Sequence, residues 1–478
     1  MRVIRKPKIG LVGMMARPFR GDKEGYFAGD AGAMRDLAET LDFDLNIIPE
    51  GIYTQADAQR AADALVEWGA DYILVQSSSF AGGDFIRPFA KLQVRLGLWA
   101  VPEGPPSDEG GLPLNSFTGL NMYNSILKRF LVGYPHPVKW FFGRPTDPLF
   151  IDRFKVTVAA LRAVINLNGA HIGLIGGVAP GFDNLIVDPR LYEAKLGVRI
   201  TALELDAVLG RARQVGDGDR VEEKAQAFVQ PGVQLGQGLR EHLLALAKLQ
   251  LGFEGLIAAH GFDALALSCW PRFQVDPGVA VCSLVGQLNT LGVITACEGD
   301  VPSAVGMLAL HYLTNGDVVT LMDLVSIDPT DDSALLWHCG PTSPQLAGED
   351  GVRMDSLWLF DDPAGKRMGL HNDLVLKAGQ VTVMGFTPQL DQLLVFEGQI
   401  DPSKPSYKGS RGWLKDIRMD GEPIGIPGLV ETLTRCGYQH HYPLAYGGLT
   451  PAVSEMAAYL GIPRVKAEAY RDYLRGEN

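Results

Sequence analysis

The sequence is poor in the features that mark several large protein classes. Only five of its 478 residues are cysteine, Cys269, Cys282, Cys297, Cys339 and Cys436. Their number is odd, no two form a CxxC pair and most lie in apolar runs, which argues against a disulfide framework and for reduced, buried thiols in a cytosolic protein. Positive charge is in deficit: 43 Lys and Arg against 55 Asp and Glu leave a formal charge of -12, and the isoelectric point is near 5.3. A nucleic-acid surface or an anionic membrane needs a positive footprint, so neither is an expected partner. No G-x-x-x-x-G-K-[ST] loop is present, nor any low-complexity tract or repeat of solenoid period. The basic opening MRVIRKPK leads into a short apolar run without a small-residue cleavage pattern, so it reads as a first β-strand, Lys8 to Gly13, and not as a signal peptide. No apolar segment is expected to reach the roughly 20 residues of a membrane span. A soluble, cytoplasmic protein is expected.

What is present is ordinary globular material, 46% hydrophobic and 21% charged, enough for two or three domains. In the first third, KIGLVG, AGAMRDLAETLD, FDLNIIP, TQADAQRAADALVEWG and DYILVQSS alternate strand and helix patterns, the mark of βαβ units on a parallel sheet. A second such set starts near residue 151, with a helix over VTVAALRAVINL, strands HIGLIGG and VRITALEL, and a long helix near GQGLREHLLALAKLQLG. From about residue 330 short runs separated by Gly, Pro and Asp replace it, and a helix over PAVSEMAAYLG closes the chain. The expected fold is therefore α/β: two doubly wound, Rossmann-like domains, 1–150 and 151–330, and an antiparallel β-rich domain, 331–478.

Few segments offer chemistry. HIGLIGGVAPGFDN has glycines at 173, 176, 177 and 181, but the spacing is not G-x-G-x-x-G and Pro180 interrupts the helix start, so a plain strand-to-loop turn is the better reading. VITACEGDVPSAV puts Glu298 at a strand tip, where doubly wound sheets place ligands. Asp300, just before Val301-Pro302, is accounted for as a helix N-cap; Glu298 is not. Asp323 interrupts the apolar run VVTLMDLVSID, where a charge needs a partner or a cation. GYQHHYPLAYGG offers Tyr438, His440 and His441, and since neighbours on a strand alternate faces, one histidine is a candidate ligand and the other an orienting or substrate-binding group. Two carboxylates and one imidazole with open positions suit a divalent ion such as Mn²⁺ better than a structural zinc.

Taken in order, CWPRFQ, GQLNTLGVITACEGDVPSAV, LMDLVSID, LLWHCGP and YQHHYPLAYGGLTPAVSEMAAYLGIP resemble the second half of the L-fucose isomerase family, relatives of the L-arabinose isomerases. The N-terminal half is similar only in architecture, and the chain is shorter than typical members, as a divergent branch would be. The resemblance implies an aldose–ketose isomerase whose metal, Mn²⁺ or another divalent cation such as Mg²⁺ or Co²⁺, is held by Glu298, Asp323 and His441. It places His440 where an asparagine contacts substrate, and Arg17 or Arg20 where an arginine does. It also implies a homo-oligomer, hexameric or trimer-based, whose active sites are completed by a neighbour's N-terminal domain. In such enzymes a divalent ion across O1 and O2 stabilises the developing enediolate, while two carboxylates, here Glu298 and Asp323, act as base and acid.

Trp270 and Trp337 are candidate walls for a sugar, with core packing as the alternative. His338, beside Trp337, is a candidate for the same cleft or a satisfied internal histidine. His260 and Asp263 carry the same ambiguity. A neutral free sugar is the first expected substrate, an acid-bearing or sulfonated sugar the alternative. A non-enzymatic sugar-binding or sensor protein is the second alternative, and an NAD-dependent oxidoreductase lacks its fingerprint.

Overall fold

The computed structural model describes residues 3–20, 25–106, 111–356, 359, 361 and 367–474. Two compact units are present, Arg5–Ile165, and the chain from Asn166 onward together with Val3 and Ile4. The first is built on β1 (Lys8–Met14), β2 (Asp44–Ile47), β3 (Tyr72–Ser77), β4 (Arg95–Ala100) and β5 (Lys139–Phe142), all parallel and ordered β2-β1-β3-β4-β5. Strand β3 is buried throughout and β1 nearly so, as parallel strands covered on both faces must be. Local signals set the helix limits. At helix Gln55–Trp68 the Thr54 hydroxyl accepts from the Asp57 N–H, the Asp57 carboxylate accepts from the Thr54 N–H, and Gly69 at φ 81° ends the helix.

The second unit opens with β6 (His171–Ile175), β7 (Arg199–Leu203), β8 (Val233–Leu235), β9 (Ala264–Leu267) and β10 (Ile294–Ala296). Four of these form a parallel sheet ordered β10-β9-β6-β7. The strand order reverses between β6 and β9, so a ligand crevice is expected beyond their C-terminal ends. The β-rich part follows: β11 (Thr320–Asp328), β12 (Ser333–His338), β13 (Val352–Asp355), β14 (His371–Val375), β15 (Gly379–Phe386), β16 (Leu393–Asp401), β17 (Ser410–Met419), β18 (Glu422–Pro423) and β19 (His441–Tyr446). Because β12 pairs with β17 as well as with β11, the strands β11, β12, β17, β16, β15 and β19 close into an antiparallel barrel. Closure leaves these six strands without an open edge.

The β-rich part departs from the expected purely antiparallel pattern. Strand β14 pairs with β17 in parallel, and β13 pairs in parallel with β8, which comes from the preceding α/β segment. A three-residue strand has too little alternation to be seen in sequence. Helix Ile426–Cys436 is also additional to the expected elements; it carries proline in its first turn, ends at Gly437 in the left-handed region, and buries Ile426, Leu429, Thr432 and Leu433 on one face.

Two further helices bear on the site and its setting. Contrary to the sequence expectation, Arg240–His260 is long and apolar enough by length and composition to cross a bilayer. Its Leu243, Leu246, Phe253 and Leu256 belong to the core of the unit, as in the core helix of a globular domain. Helix Val301–Leu313 is buried at every residue except His311. It packs on β9 and β10 as well as on β15 and β19, which is why it is apolar all round, and it brings the tip of the parallel sheet against the barrel.

Candidate active site

After β10 the chain makes a tight turn, Cys297–Asp300, that carries two acids. Glu298 stands at φ 62° and Gly299 at φ 73°. A Cβ on Gly299 would lie 2.2 Å from the Gly177 carbonyl oxygen, so this approach admits only glycine. The Ala179 N–H donates to the Glu298 carbonyl at 2.9 Å, and the Gly299 N–H to that of Leu267 at 3.0 Å. The turn is thus fixed by the tips of β6 and β9, at the point where the strand order reverses. Asp300 caps the following helix, accepting from the Ser303 N–H at 2.8 Å and from its hydroxyl at 2.6 Å.

The barrel supplies the opposite side. Strand register places Asp323 of β11 directly opposite His441 of β19 and opposite Trp337 of β12, so the three side chains form a row on one face. His441 is buried, and its Nδ1 lies 2.8 Å from Asp300 Oδ2. A carboxylate accepts, so the proton of the contact sits on Nδ1, and in the neutral ring the Nε2 lone pair is left open. That Nε2 is 3.5 Å from Glu298 Oε2 and 3.6 Å from Asp323 Oδ1.

His441 Nε2 stands at a distance from each carboxylate, 3.5 Å to Glu298 and 3.6 Å to Asp323, that fits two donors of one divalent cation. Metal–ligand bonds of about 2.0–2.2 Å put neighbouring donors of one ion about 3.0–3.6 Å apart. Asp323 Oδ1 is buried without a hydrogen-bond partner, which a cation would relieve. Two groups of ligand atoms, each within 4.8 Å, share His441: Glu298 with His440, and Asp323 with His338. Hydrogen bonding separates their members. His338 Nδ1 accepts from the Cys339 N–H at 2.8 Å, so in the neutral ring Nε2 carries the proton and is a donor. His440 Nε2 is turned to Glu298 Oε2 at 3.3 Å. That leaves Glu298, Asp323 and His441 as the side chains that could hold an ion, with His441 common to both groups; among the described residues no single group of ligand atoms joins the two carboxylates. Burial pushes the Glu298 carboxyl up, but the His440 hydrogen bond and the surrounding imidazoles outweigh it and hold the group below its ordinary range. Burial likewise opposes charge on His441, and the hydrogen bond to Asp300 with the nearby carboxylates overcomes it.

A cavity of about 490 Å³ opens on these groups, lined by Glu298, Asp323 and His338 with Trp270, Trp337 and Phe182 as apolar walls. A groove of about 660 Å³ in the N-terminal unit is larger, but it is mainly apolar, with Glu103 and Lys128 as its charged lining residues; the convergent carboxylates and imidazoles belong to the smaller one.

No family model matches the chain. Curated relatives do. A protein of Priestia aryabhattai named sulfoquinovose isomerase is 28% identical over 425 residues, covering 87% of this chain and 90% of its own. Proteins of the same name from Alkalicoccus urumqiensis and Clostridium sp. (strain MSTE9) are 27% and 24% identical, covering 84% and 83% of this chain and 86% of each of theirs. The chain is an aldose–ketose isomerase. The similarity to these isomerases extends over most of the chain and is not confined to its second half. Solved structures similar to the isomerase include a periplasmic solute-binding protein of Actinobacillus succinogenes 130z with bound D-allose, at 11% identity, 66% of this chain, 93% of that one and a TM-score of 0.18. A score that low carries no inference.

The isomerase brings together most of the side chains singled out from its sequence. Glu298, Asp323, His338, His440, His441 and Trp270 meet at one site, and Trp337 joins them. Both adjacent histidines reach it, contrary to the alternation argument, because β19 begins at His441 and His440 precedes the strand. Arg17 and Arg20 lie in the loop after β1, in the N-terminal unit, where the Arg17 guanidinium sits 5.6 Å from the centre of the Tyr53 ring. His260 and Asp263 fall at the other end of the parallel sheet: the Asp263 carboxylate accepts from the His171 N–H at 2.9 Å, at the start of β6. Sequence reasoning missed the second role of Asp300 and the contributions of Phe182 and Asn184, whose rings and amide reach His440.

Proposed function

We propose that this isomerase is cytoplasmic, depends on a divalent cation, Mn²⁺ first among them, and converts a sulfonated aldose, sulfoquinovose or a close analogue, to its ketose. The cation reading rests on one observation: His441, its tautomer set by Asp300, presents Nε2 to two carboxylates at 3.5 and 3.6 Å. The substrate reading rests on the shared name of relatives from several genera, which favours the acid-bearing sugar over the neutral one.

In this reading Glu298, Asp323 and His441 hold the cation, which when bound supplies Lewis-acid stabilisation of charge on O1 and O2 of the sugar. Glu298 and Asp323 also serve as the base and acid that take a proton from C2 and return one to C1, each contributing about 10²–10⁴-fold. His338 donates its Nε2–H to a substrate oxygen. Trp270, Trp337 and Phe182 exclude water and pack on the apolar face of the sugar. Among the described residues lining the cavity none is Arg or Lys. Arg17 or Arg20, where the resemblance implies a substrate-contacting arginine, is the group proposed for the sulfonate, since a guanidinium's fork of donors suits an oxyanion. A homo-oligomer with shared active sites completes the proposal.

The test compares kcat/KM for sulfoquinovose with that for neutral aldoses, at saturating Mn²⁺. A preference of about 100-fold or more for the sulfonated sugar supports the reading, because a site built for a charged group rejects substrates that lack it. Equal values would return the neutral sugar to first place.

A further inference from the structure

The glycine-rich segment after β6 delivers two side chains to the site. The Phe182 ring lies 5.1 Å from that of His440 with a 30° tilt, and meets Trp270 edge-on at 6.0 Å. Asn184 Nδ2 is 3.4 Å from His440 Nδ1, and His440 Nε2 is 3.3 Å from Glu298 Oε2. The amide NH₂ donates and the carboxylate accepts, so a single neutral tautomer of His440 serves both contacts, accepting at Nδ1 and donating at Nε2. Glu298 needs such a partner. It projects from a left-handed turn position, its side chain has several rotatable bonds, and its carboxylate has no hydrogen-bond donor of its own on the turn among the described residues.

We propose that His440, held by Phe182 and Asn184, is a positioning residue that orients the Glu298 carboxylate toward the cation, in place of the substrate contact that the resemblance implies at this position. This rests on the reading of Glu298 as a cation ligand. The glycines then have a purpose beyond a turn: Gly299 leaves room for the Gly177 carbonyl to approach the Glu298 turn, and Gly177 supplies the left-handed backbone, φ 72°, from which the segment carries both side chains to His440.

The test is Mn²⁺ affinity, read from the electron paramagnetic resonance signal of free Mn²⁺, in the wild-type full chain and in His440→Ala, His440→Gln and Asn184→Ala. Loss of an orienting partner typically costs 10–100-fold in metal affinity, so His440→Ala is expected to raise Kd for Mn²⁺ by about 10-fold or more. His440→Gln, whose amide nitrogen can occupy the place of Nε2, restores it to within about threefold. Asn184→Ala gives a smaller loss that disappears in the His440→Ala background, because it acts through that ring. Unchanged Mn²⁺ affinity in His440→Ala with a raised KM for sugar would overturn the inference and make His440 a substrate contact. If the wild-type chain binds no Mn²⁺, the cation reading itself fails, and this inference fails with it.

Discussion

His441 Nδ1 and Asp300 Oδ2 stand 2.8 Å apart and both residues are buried, so one acid ties the start of a helix on the parallel sheet to the first residue of a barrel strand. The same carboxylate caps Val301–Leu313 through Ser303. It fixes at once where the helix begins and which nitrogen of His441 faces Glu298 and Asp323. Partners of this kind set the tautomer and basicity of metal-binding imidazoles.

Asp300→Asn separates these two duties. The amide keeps an oxygen for the Ser303 N–H but turns an NH₂ toward His441 Nδ1, which favours the tautomer with its proton on Nε2. The expected result is Mn²⁺ affinity lowered by about 10–100-fold with helical circular dichroism unchanged. Asp300→Ala also loses the cap, at about 0.5–2 kcal/mol, and its melting temperature drops as well.

Replacing either carboxylate at the site removes charge while preserving shape. Glu298→Gln and Asp323→Asn are each expected to lower turnover by at least about 10²-fold, the usual scale of a general acid or base, with the folded spectrum intact. Retained activity in both variants contradicts the assignment.

The arginines of the first loop are tested by substrate charge. Arg17→Ala or Arg20→Ala is expected to raise KM for the sulfonated aldose while leaving that for neutral aldoses unchanged; an equal effect on both would show that neither arginine reads the sulfonate.

A pH effect on stability is expected away from the site. Hydrogen bonds from Lys404, with help from Thr330, hold the Asp328 carboxyl down at about 2, and Lys404 Nζ also reaches Asp331 at 2.9 Å. A carboxyl depressed in the fold below its unfolded value of about 3.9 stabilises above that value and loses the contribution as pH falls toward 2. In urea melts the gap between wild type and Lys404→Met should be constant from pH 5 to 7 and narrow between about pH 4 and 2.5. A gap that widens on acidification would contradict the sign.

Much of this arrangement was legible in the sequence, for physical reasons that can be named. Glu298 stood out because a cap explains Asp300 but not the acid two residues earlier, and Asp323 because it breaks an apolar strand. His441 came from the resemblance, since alternation alone could not choose between neighbouring histidines. The α/β alternation was plain in the periodicity. Closure of the barrel was not, because it depends on β12 meeting β17, a pairing that no local pattern encodes. Asp300 was read as a cap and no more, because its second partner lies far along the chain. The reach of Phe182 and Asn184 was hidden in a segment whose glycines resembled an ordinary turn.

The central claim is cation-dependent proton transfer at Glu298, Asp323 and His441. It is tested most directly by incubating the metal-stripped chain with sulfoquinovose in D₂O, with and without Mn²⁺, and following the sugar by NMR. The account predicts ketose formation with solvent deuterium at the exchanged carbon only when Mn²⁺ is added. Isomerisation at the same rate in the stripped chain, or no binding of Mn²⁺ at all, would contradict it.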